Sequence, residues 1–178
     1  MKILAADDSR VSRNLIKAIL EEMDFEVLAA ENGLEAWRIF EREEISLLIS
    51  DWMMPEMDGL ELCRRVRAAP HRPGYTYIMM VTAQDGLKNF VTAMAAGADD
   101  FIVKPFEPEM LRCRIRVAQR VLAMQHELRA LAAALPFCGA CDTIQNDPGS
   151  QQRLHDFLSS RPELKPVLGT CPTCAAKA

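Results

Sequence analysis

The apolar positions of the chain form five short runs, and four of these runs stop at a polar or charged residue. The runs cover residues 3–6, 25–29, 45–50, 75–81 and 101–103. Continuous apolar runs bounded by turn residues are typical of strands buried on both faces. Helical periodicity separates the runs, so strands and helices alternate over about 135 residues and predict a parallel sheet with right-handed crossovers.

Local signals mark where several of these helices begin and end. Asn32 with Glu35, and Asp58 with Glu61, have the spacing of a capping box. Gly97 is expected just past the end of the fourth helix. In the first helix, apolar residues recur at intervals of four and predict a buried face. That face consists of Val11, Leu15, Ile19 and Met23.

Four of the five strands end at a residue with a chemically useful side chain. Asp7 and Asp8 follow the first strand, Asp51 the third, Thr82 ends the fourth, and Lys104 follows the fifth. Ligands of open α/β sheets bind outside the carboxyl ends of the strands, where these side chains should meet. Each residue alone also fits a helix cap, a strand end or a surface position. Their joint occurrence is the strongest indication of function in the chain.

Three carboxylates at one edge repel each other and need a cation. Hard oxygen donors with room for water favour Mg²⁺. Asp51 could then attack a phosphoryl group and form an aspartyl phosphate. The ammonium group of Lys104 and the hydroxyl group of Thr82 would contact the phosphoryl oxygens.

These motifs resemble those of one known family, the receiver domain of bacterial two-component response regulators. The match covers residues 1–122 and is carried by Asp7-Asp8, by D-x-x-M-P-x-M-D-G from Asp51, by Thr82-Ala83 and by Lys104-Pro105. The resemblance implies a flavodoxin-like (βα)5 fold, a doubly wound parallel sheet. It also implies that Asp51 accepts phosphate from a sensor histidine kinase or a phosphotransfer protein.

The same resemblance implies the remaining parts of the site. Mg²⁺ would be bound by Asp8, Asp51 and the backbone carbonyl of Met53, with Asp7 helping through water. Thr82 and Phe101 would form a coupled switch. Such a protein is a signalling switch and not an enzyme, apart from Mg²⁺-dependent self-phosphorylation from phosphodonors and self-dephosphorylation.

Two other classes that bind phosphate at a strand end fit less well. A haloacid-dehalogenase-type phosphatase also uses an aspartate nucleophile, but needs a second aspartate two residues later, where this chain has Met53. A flavodoxin needs a phosphate-cradling loop, and D-D-S-R after the first strand has the wrong charge for the phosphate of FMN.

A single long helix is predicted over residues 108–135, longer than the sheet requires. Its apolar residues alternate spacings of four and three, which predicts a seam that packs against a second helix. Either two chains pair through residues 117–135 as a homodimer, or the seam packs within one chain. The seam consists of Val117, Val121, Met124, Leu128, Leu131 and Leu135.

Residues 136–178 differ from the rest of the chain and contain two C-x-x-C pairs separated by 29 residues. Paired motifs of this kind indicate a tetrahedral Zn²⁺ site. A metal would also stabilise a segment too short to fold readily alone. The alternative is a redox or metal sensor in which these thiols are the input and the receiver integrates the signal. The predicted zinc ligands are Cys138, Cys141, Cys171 and Cys174.

Composition limits the remaining possibilities. The chain has 178 residues, a net charge of −4 and six cysteines. This charge argues against nucleic-acid binding, and no apolar run is long enough for a membrane span. With no export signal, we expect a cytoplasmic location, where cysteines serve as thiols or metal ligands. Cys63 and Cys113 are expected to be buried small hydrophobes. Output is expected through protein contacts, because no DNA-binding motif follows residue 122.

Overall fold

The structure, a computed structural model, describes residues 1–69 and 74–134 and, beyond them, the short strands at 137–138 and 168–169. Its contacts divide the chain into two units, Met1–Ala123 and Met124–Ala178. Most of the predicted zinc module therefore lies outside the described residues. So do three of its predicted ligands and the last residue of the seam, namely Cys141, Cys171, Cys174 and Leu135.

The first unit is built on one parallel sheet with the strand order β2-β1-β3-β4-β5. All four neighbouring pairs run parallel, so the flavodoxin-like α/β fold is confirmed. The predicted strand positions agree with the structure to within two residues. The strands are β1 Lys2–Ala6, β2 Glu26–Ala30, β3 Leu47–Ser50, β4 Tyr77–Thr82 and β5 Asp100–Val103.

Five helices connect and follow the strands. The two predicted N-caps are confirmed, because Asn32 and Asp58 each accept the backbone N–H three residues on at 2.7 Å. Gly97 directly follows the C-cap of the fourth helix with φ +103°, a conformation that glycine adopts without strain. The helices are α1 Arg10–Glu21, α2 Gly33–Arg42, α3 Gly59–Ala68, α4 Leu87–Ala95 and α5 Pro108–Ala134.

The sheet is covered on both faces, as its apolar strands require. Along β3, Leu48 faces one core, which contains Phe40 of α2 and Leu62 of α3. Leu47 and Ile49 face the other core, which is packed by α1 and α5. Because β3 is packed against an apolar core on each face, the residue that follows this strand is held at a fixed position on the sheet edge.

The face predicted for α1 is wrong in part. Val11 is 80% exposed and Leu15 is 42% exposed, whereas Ile16, Ile19 and Leu20 are buried. Each step of four residues overshoots a full helical turn by about 40°, so a series of fours rotates away from the core. The sheet instead selects the narrower stripe spaced by three and four.

The two cysteines of the first unit lie in different environments. Cys63 is buried, as predicted, and its thiol donates to the Ala96 carbonyl at 3.2 Å. Burial raises the pKa of this thiol to about 11, so the sulfur stays protonated and unreactive. The prediction for Cys113 is wrong, because this residue is exposed on α5. None of the helices described here combines the length and apolarity needed to cross a bilayer.

Candidate functional site

Three carboxylates converge at the carboxyl edge of the sheet. Asp7 and Asp8 follow β1 and Asp51 follows β3, and these two strands are hydrogen-bonded neighbours. One carboxylate oxygen from each residue lies within 4.8 Å of the other two. Asp7 and Asp51 are buried, whereas Asp8 is exposed. The edge therefore holds a dense negative charge with one side open to water.

Lys104 supplies a positive charge to this cluster from the end of β5. Its ammonium group donates to Oδ2 of Asp7 at 2.7 Å and to Oδ2 of Asp51 at 2.5 Å. Burial opposes the charge on Lys104, but its hydrogen bonds and attraction to Asp51 and Asp7 outweigh that effect and raise its pKa above 10.5. Lys104 is thus charged at any physiological pH.

The main chain around Asp51 is held by close backbone contacts. The N–H of Asp51 donates to the Ala6 carbonyl at 2.8 Å, which continues the pairing with β1. Oδ1 of Asp51 accepts the N–H of Met53 at 3.3 Å. Helix α3 starts against this loop, and a Cβ added at Gly59 would lie 2.0 Å from the Asp51 carbonyl oxygen. Only glycine fits there, because any side chain would displace the Asp51 backbone.

Asp7 is surrounded by donors that the sequence did not reveal. Its Oδ1 accepts the N–H of Ser9 at 2.9 Å, and its Oδ2 accepts the hydroxyl of Ser12 at 2.5 Å. Together with Lys104, these donors satisfy a carboxylate with no exposed surface. Arg13, another residue missed from the sequence, is buried beside the same loop. Its position three residues before the buried Ile16 was the available signal, since a charged residue in an apolar stripe needs partners.

The remaining predicted residues lie on the strands around this cluster. Thr82 ends β4, between Asp51 and Lys104 in the sheet order, and is fully buried. Its hydroxyl accepts the N–H of Gln84 at 3.2 Å. Met53 is 58% exposed and follows Asp51 by two residues.

Phe101 lies farther along the sheet and not in the cluster. It is half-buried in β5 and makes an edge-to-face contact with Phe90 of α4, with ring centroids 6.0 Å apart. Phe101 is therefore linked to the exposed surface of α4, because Phe90 is 45% exposed.

The arrangement is suited to binding a cation and an anionic group side by side. The carboxylates outnumber the ammonium group by three to one, and their oxygens are the hard ligands that Mg²⁺ prefers. Asp8 is exposed to solvent, and Lys104 lies beside Asp51 in the same cluster. A phosphoryl group fits this chemistry, since it needs both a metal and a fixed positive charge.

Comparisons with known proteins agree with this geometry. The response regulator receiver domain family matches residues 3–116. A chemotaxis protein CheY homolog of Campylobacter jejuni is 44% identical over 114 residues, which cover 63% of this chain and 87% of the relative. The chemotaxis protein CheY1 of Helicobacter pylori is 42% identical over 119 residues, covering 66% of this chain and 95% of that protein. Among solved structures, the chemotaxis response regulator CheY4 of Vibrio cholerae is 32% identical with a TM-score of 0.62, over 66% of this chain and 97% of that one.

The contacts of Lys104 predict a pH-dependent contribution to stability in metal-free protein. Because its pKa in the folded state is above the ordinary 10.5, the contribution is fully present below that pH and is lost as the pH rises through the folded-state value. We expect Lys104→Gln to cost about 1–3 kcal/mol at neutral pH and progressively less above pH 10.5.

Urea unfolding followed by circular dichroism, from about pH 8 to about pH 11.5 in EDTA, measures this difference. Lys88→Gln, an exposed lysine of α4, controls for the loss of a lysine charge away from the carboxylates. A Lys104→Gln penalty that stays constant across this range would contradict the assignment of its charge to Asp7 and Asp51.

Proposed function

Because this chain belongs to the response regulator receiver domain family, we propose that Asp51 accepts a phosphoryl group from a histidine kinase or a phosphotransfer protein. One observation carries the assignment to Asp51. This carboxylate lies at the end of the central strand β3 and is the buried acceptor of a 2.5 Å hydrogen bond from Lys104 within the acidic cluster. The C. jejuni and H. pylori relatives are chemotaxis proteins by name, and no role in chemotaxis is proposed for this chain.

In the proposed step, a carboxylate oxygen of Asp51 attacks the phosphorus atom of the donor. A new O–P bond forms as the N–P bond to the donor's histidine breaks, and the electron pair leaves with the imidazole. Lys104 moves its hydrogen bond to a phosphoryl oxygen, and the hydroxyl of Thr82 donates to another. Most of the rate then comes from positioning and charge neutralisation, as in phosphoryl transfer generally.

The acidic cluster fits Mg²⁺, which receiver domains use at this edge. All of the donors in the cluster are hard oxygens, they lie within 4.8 Å of each other, and the exposed Asp8 leaves room for retained water. We assign Asp8, Asp51 and the backbone carbonyl of Met53 as ligands, with Asp7 acting through water. When bound, the ion offsets the negative charge shared by the carboxylates and the incoming phosphoryl oxygens.

We propose that the effect of phosphorylation is transmitted through Thr82 and Phe101 to the surface formed by α4, β5 and α5. Several large apolar side chains are exposed there, which suits a protein partner. Movement of Thr82 toward a phosphoryl group would free space for Phe101 to turn inward, away from Phe90. The exposed residues are Leu87 (78%), Phe90 (45%), Val91 (55%) and Val103 (38%).

The later part of α5 supports self-association. Val121 packs partly against the core beneath the sheet, whereas Met124 and Leu128 are 56% and 60% exposed. An apolar seam that leaves the domain core needs a second surface, and a parallel copy of the same helix has the matching spacing. The proposed organisation is thus a receiver over 1–122, a helix over 108–135 that extends beyond it, and a module over 136–178.

A zinc site in that module is the proposed second function. The strands at Phe137–Cys138 and Leu168–Gly169 pair in parallel, with Cys138 opposite Gly169. The chain at Gly169, two residues before Cys171, is thereby brought alongside the first residue of the other C-x-x-C pair. A metal held by both pairs requires them to be close together, and this strand pairing supports Zn²⁺ bound by Cys138, Cys141, Cys171 and Cys174.

Phosphorylation at Asp51 is the central prediction. With Mg²⁺ and acetyl phosphate, wild type should gain one phosphoryl group and Asp51→Asn should gain none, because an amide is a poor nucleophile. Intact-mass analysis under acidic conditions measures the gain. Asp58→Asn is the matched control, since asparagine caps α3 as well as aspartate does. Phosphorylation of Asp51→Asn to the wild-type level would refute the assignment.

The seam prediction concerns Leu128. We expect Leu128→Glu to weaken self-association at least tenfold, because a buried unpaired charge costs several kcal/mol, while phosphorylation stays intact. His126→Glu, about 200° away around the helix, should leave association unchanged. Sedimentation equilibrium with and without beryllofluoride measures both variants. A monomer in every state, or a dimer indifferent to Leu128→Glu, would show that the seam packs within one chain.

The zinc prediction is one Zn²⁺ per chain, bound by four thiolates. Elemental analysis of dialysed protein should find this ion, and Cys171→Ser should release it. Cys113→Ser, an exposed cysteine outside the two pairs, is the control and should retain it. Metal-free protein with four readily oxidised thiols would instead favour the redox or metal sensor.

A further inference from the structure

Arg13 is the one buried guanidinium group among the residues that the structure describes, and it lies on the core side of α1. Only 8% of the residue is exposed, and it precedes the buried Ile16 by three positions. Burying an arginine is costly unless each of its donors finds a partner. Its contacts therefore indicate which part of the protein depends on its presence.

The guanidinium group binds the main chain of the acidic loop and avoids its carboxylates. Nη1 donates to the Asp7 carbonyl at 2.6 Å and lies 3.5 Å from the Asp8 carbonyl. These two carbonyls belong to the residues whose side chains form two thirds of the acidic cluster. Arg13 can thus set the direction of the Asp7 and Asp8 side chains without neutralising them.

The other end of the guanidinium group is held by the loop after β2. Nη2 donates to Oε1 of Glu31 at 2.7 Å, while the backbone N–H of Glu31 donates to Glu35 of α2 at 2.8 Å. The next residue, Asn32, donates from Nδ2 to Glu56 at 3.2 Å. Since the strand order begins β2-β1-β3, these contacts link the loops after three adjacent strands, and two of these loops carry the acidic cluster.

We propose that Arg13 is a positioning residue for divalent-cation binding, an inference that rests on the Mg²⁺ site proposed above. Its rigid fork fixes the backbone at Asp7 and Asp8 so that both carboxylates face Asp51 before a cation arrives. The hydrogen bond to Glu31 fixes the orientation of the guanidinium group of Arg13. Outer contacts of this kind typically change metal affinity 10- to 100-fold, although they never touch the ion.

The test is the affinity of each full-length variant for Mg²⁺ alone, with no phosphodonor present. Mg²⁺ titration is followed by the fluorescence of Trp52, next to Asp51, and Mn²⁺ titration by electron paramagnetic resonance gives a readout independent of that tryptophan. Circular dichroism selects a temperature at which every variant is fully folded. A purely structural role would lower the melting temperature but leave the Kd of folded protein unchanged.

We expect Arg13→Met to raise the Kd for Mg²⁺ by roughly tenfold or more. Arg13→Lys keeps the charge but loses the fork, and should raise the Kd by a smaller factor. Arg10→Met removes the same charge from an exposed position on the same helix and should change the Kd by less than about twofold.

Additional variants and the wild-type titration ensure that every result supports or refutes the proposed role of Arg13. If Arg13→Met does not fold, Arg13→Lys and Glu31→Gln decide the question, and both should raise the Kd severalfold. Folded Arg13 and Glu31 variants with the wild-type Kd would overturn the role of Arg13. Wild type that binds neither Mg²⁺ nor Mn²⁺ would instead overturn the proposed metal site, so the two failures are distinguishable.

Discussion

Repulsion among three carboxylates at one edge of the sheet is the constraint on which the rest of the site depends. Asp7, Asp8 and Asp51 each place one carboxylate oxygen within 4.8 Å of the other two, a spacing at which like charges destabilise one another. Lys104 offsets part of this energy through short bonds to two of them. The balance is incomplete, and the excess negative charge is what makes the site ready for a cation.

Such a site requires a backbone that does not relax away from the repulsion. Both faces of β3 are packed against apolar cores, and α3 begins directly against the Asp51 carbonyl. Around Asp7, hydrogen bonds from Ser9, Ser12 and Lys104 occupy the carboxylate. The hydrophobic effect thus supplies the rigidity, and local hydrogen bonds convert it into a fixed arrangement of charges.

The sequence was sufficient for the fold and for the charged residues at the strand ends, because each depends on a local pattern. Apolar runs marked the strands, and the capping residues Asn32 and Asp58 marked the starts of α2 and α3. The carboxyl ends of parallel strands necessarily meet at one edge of the sheet. The buried face of α1 was predicted wrongly, because periodicity in fours does not say where a helix meets its sheet. Arg13 was missed although its place in the apolar stripe was a signal, because two of its three partners are main-chain carbonyls, which carry no signature in the sequence. The environment of Cys113 likewise depends on which side of α5 the sheet covers.

The contact of Gly59 with the Asp51 carbonyl also limits how such a protein can evolve. Gly59 also donates its N–H to the Trp52 carbonyl at 2.8 Å. The first residue of α3 is therefore held close to both Asp51 and Trp52. Surface loops ordinarily tolerate gains and losses of residues with little penalty. Here one additional residue between Asp51 and Gly59 would lift α3 from the end of β3, since the two segments are already in van der Waals contact. The length of this loop is therefore fixed by geometry, and divergence within it is confined to side-chain replacements.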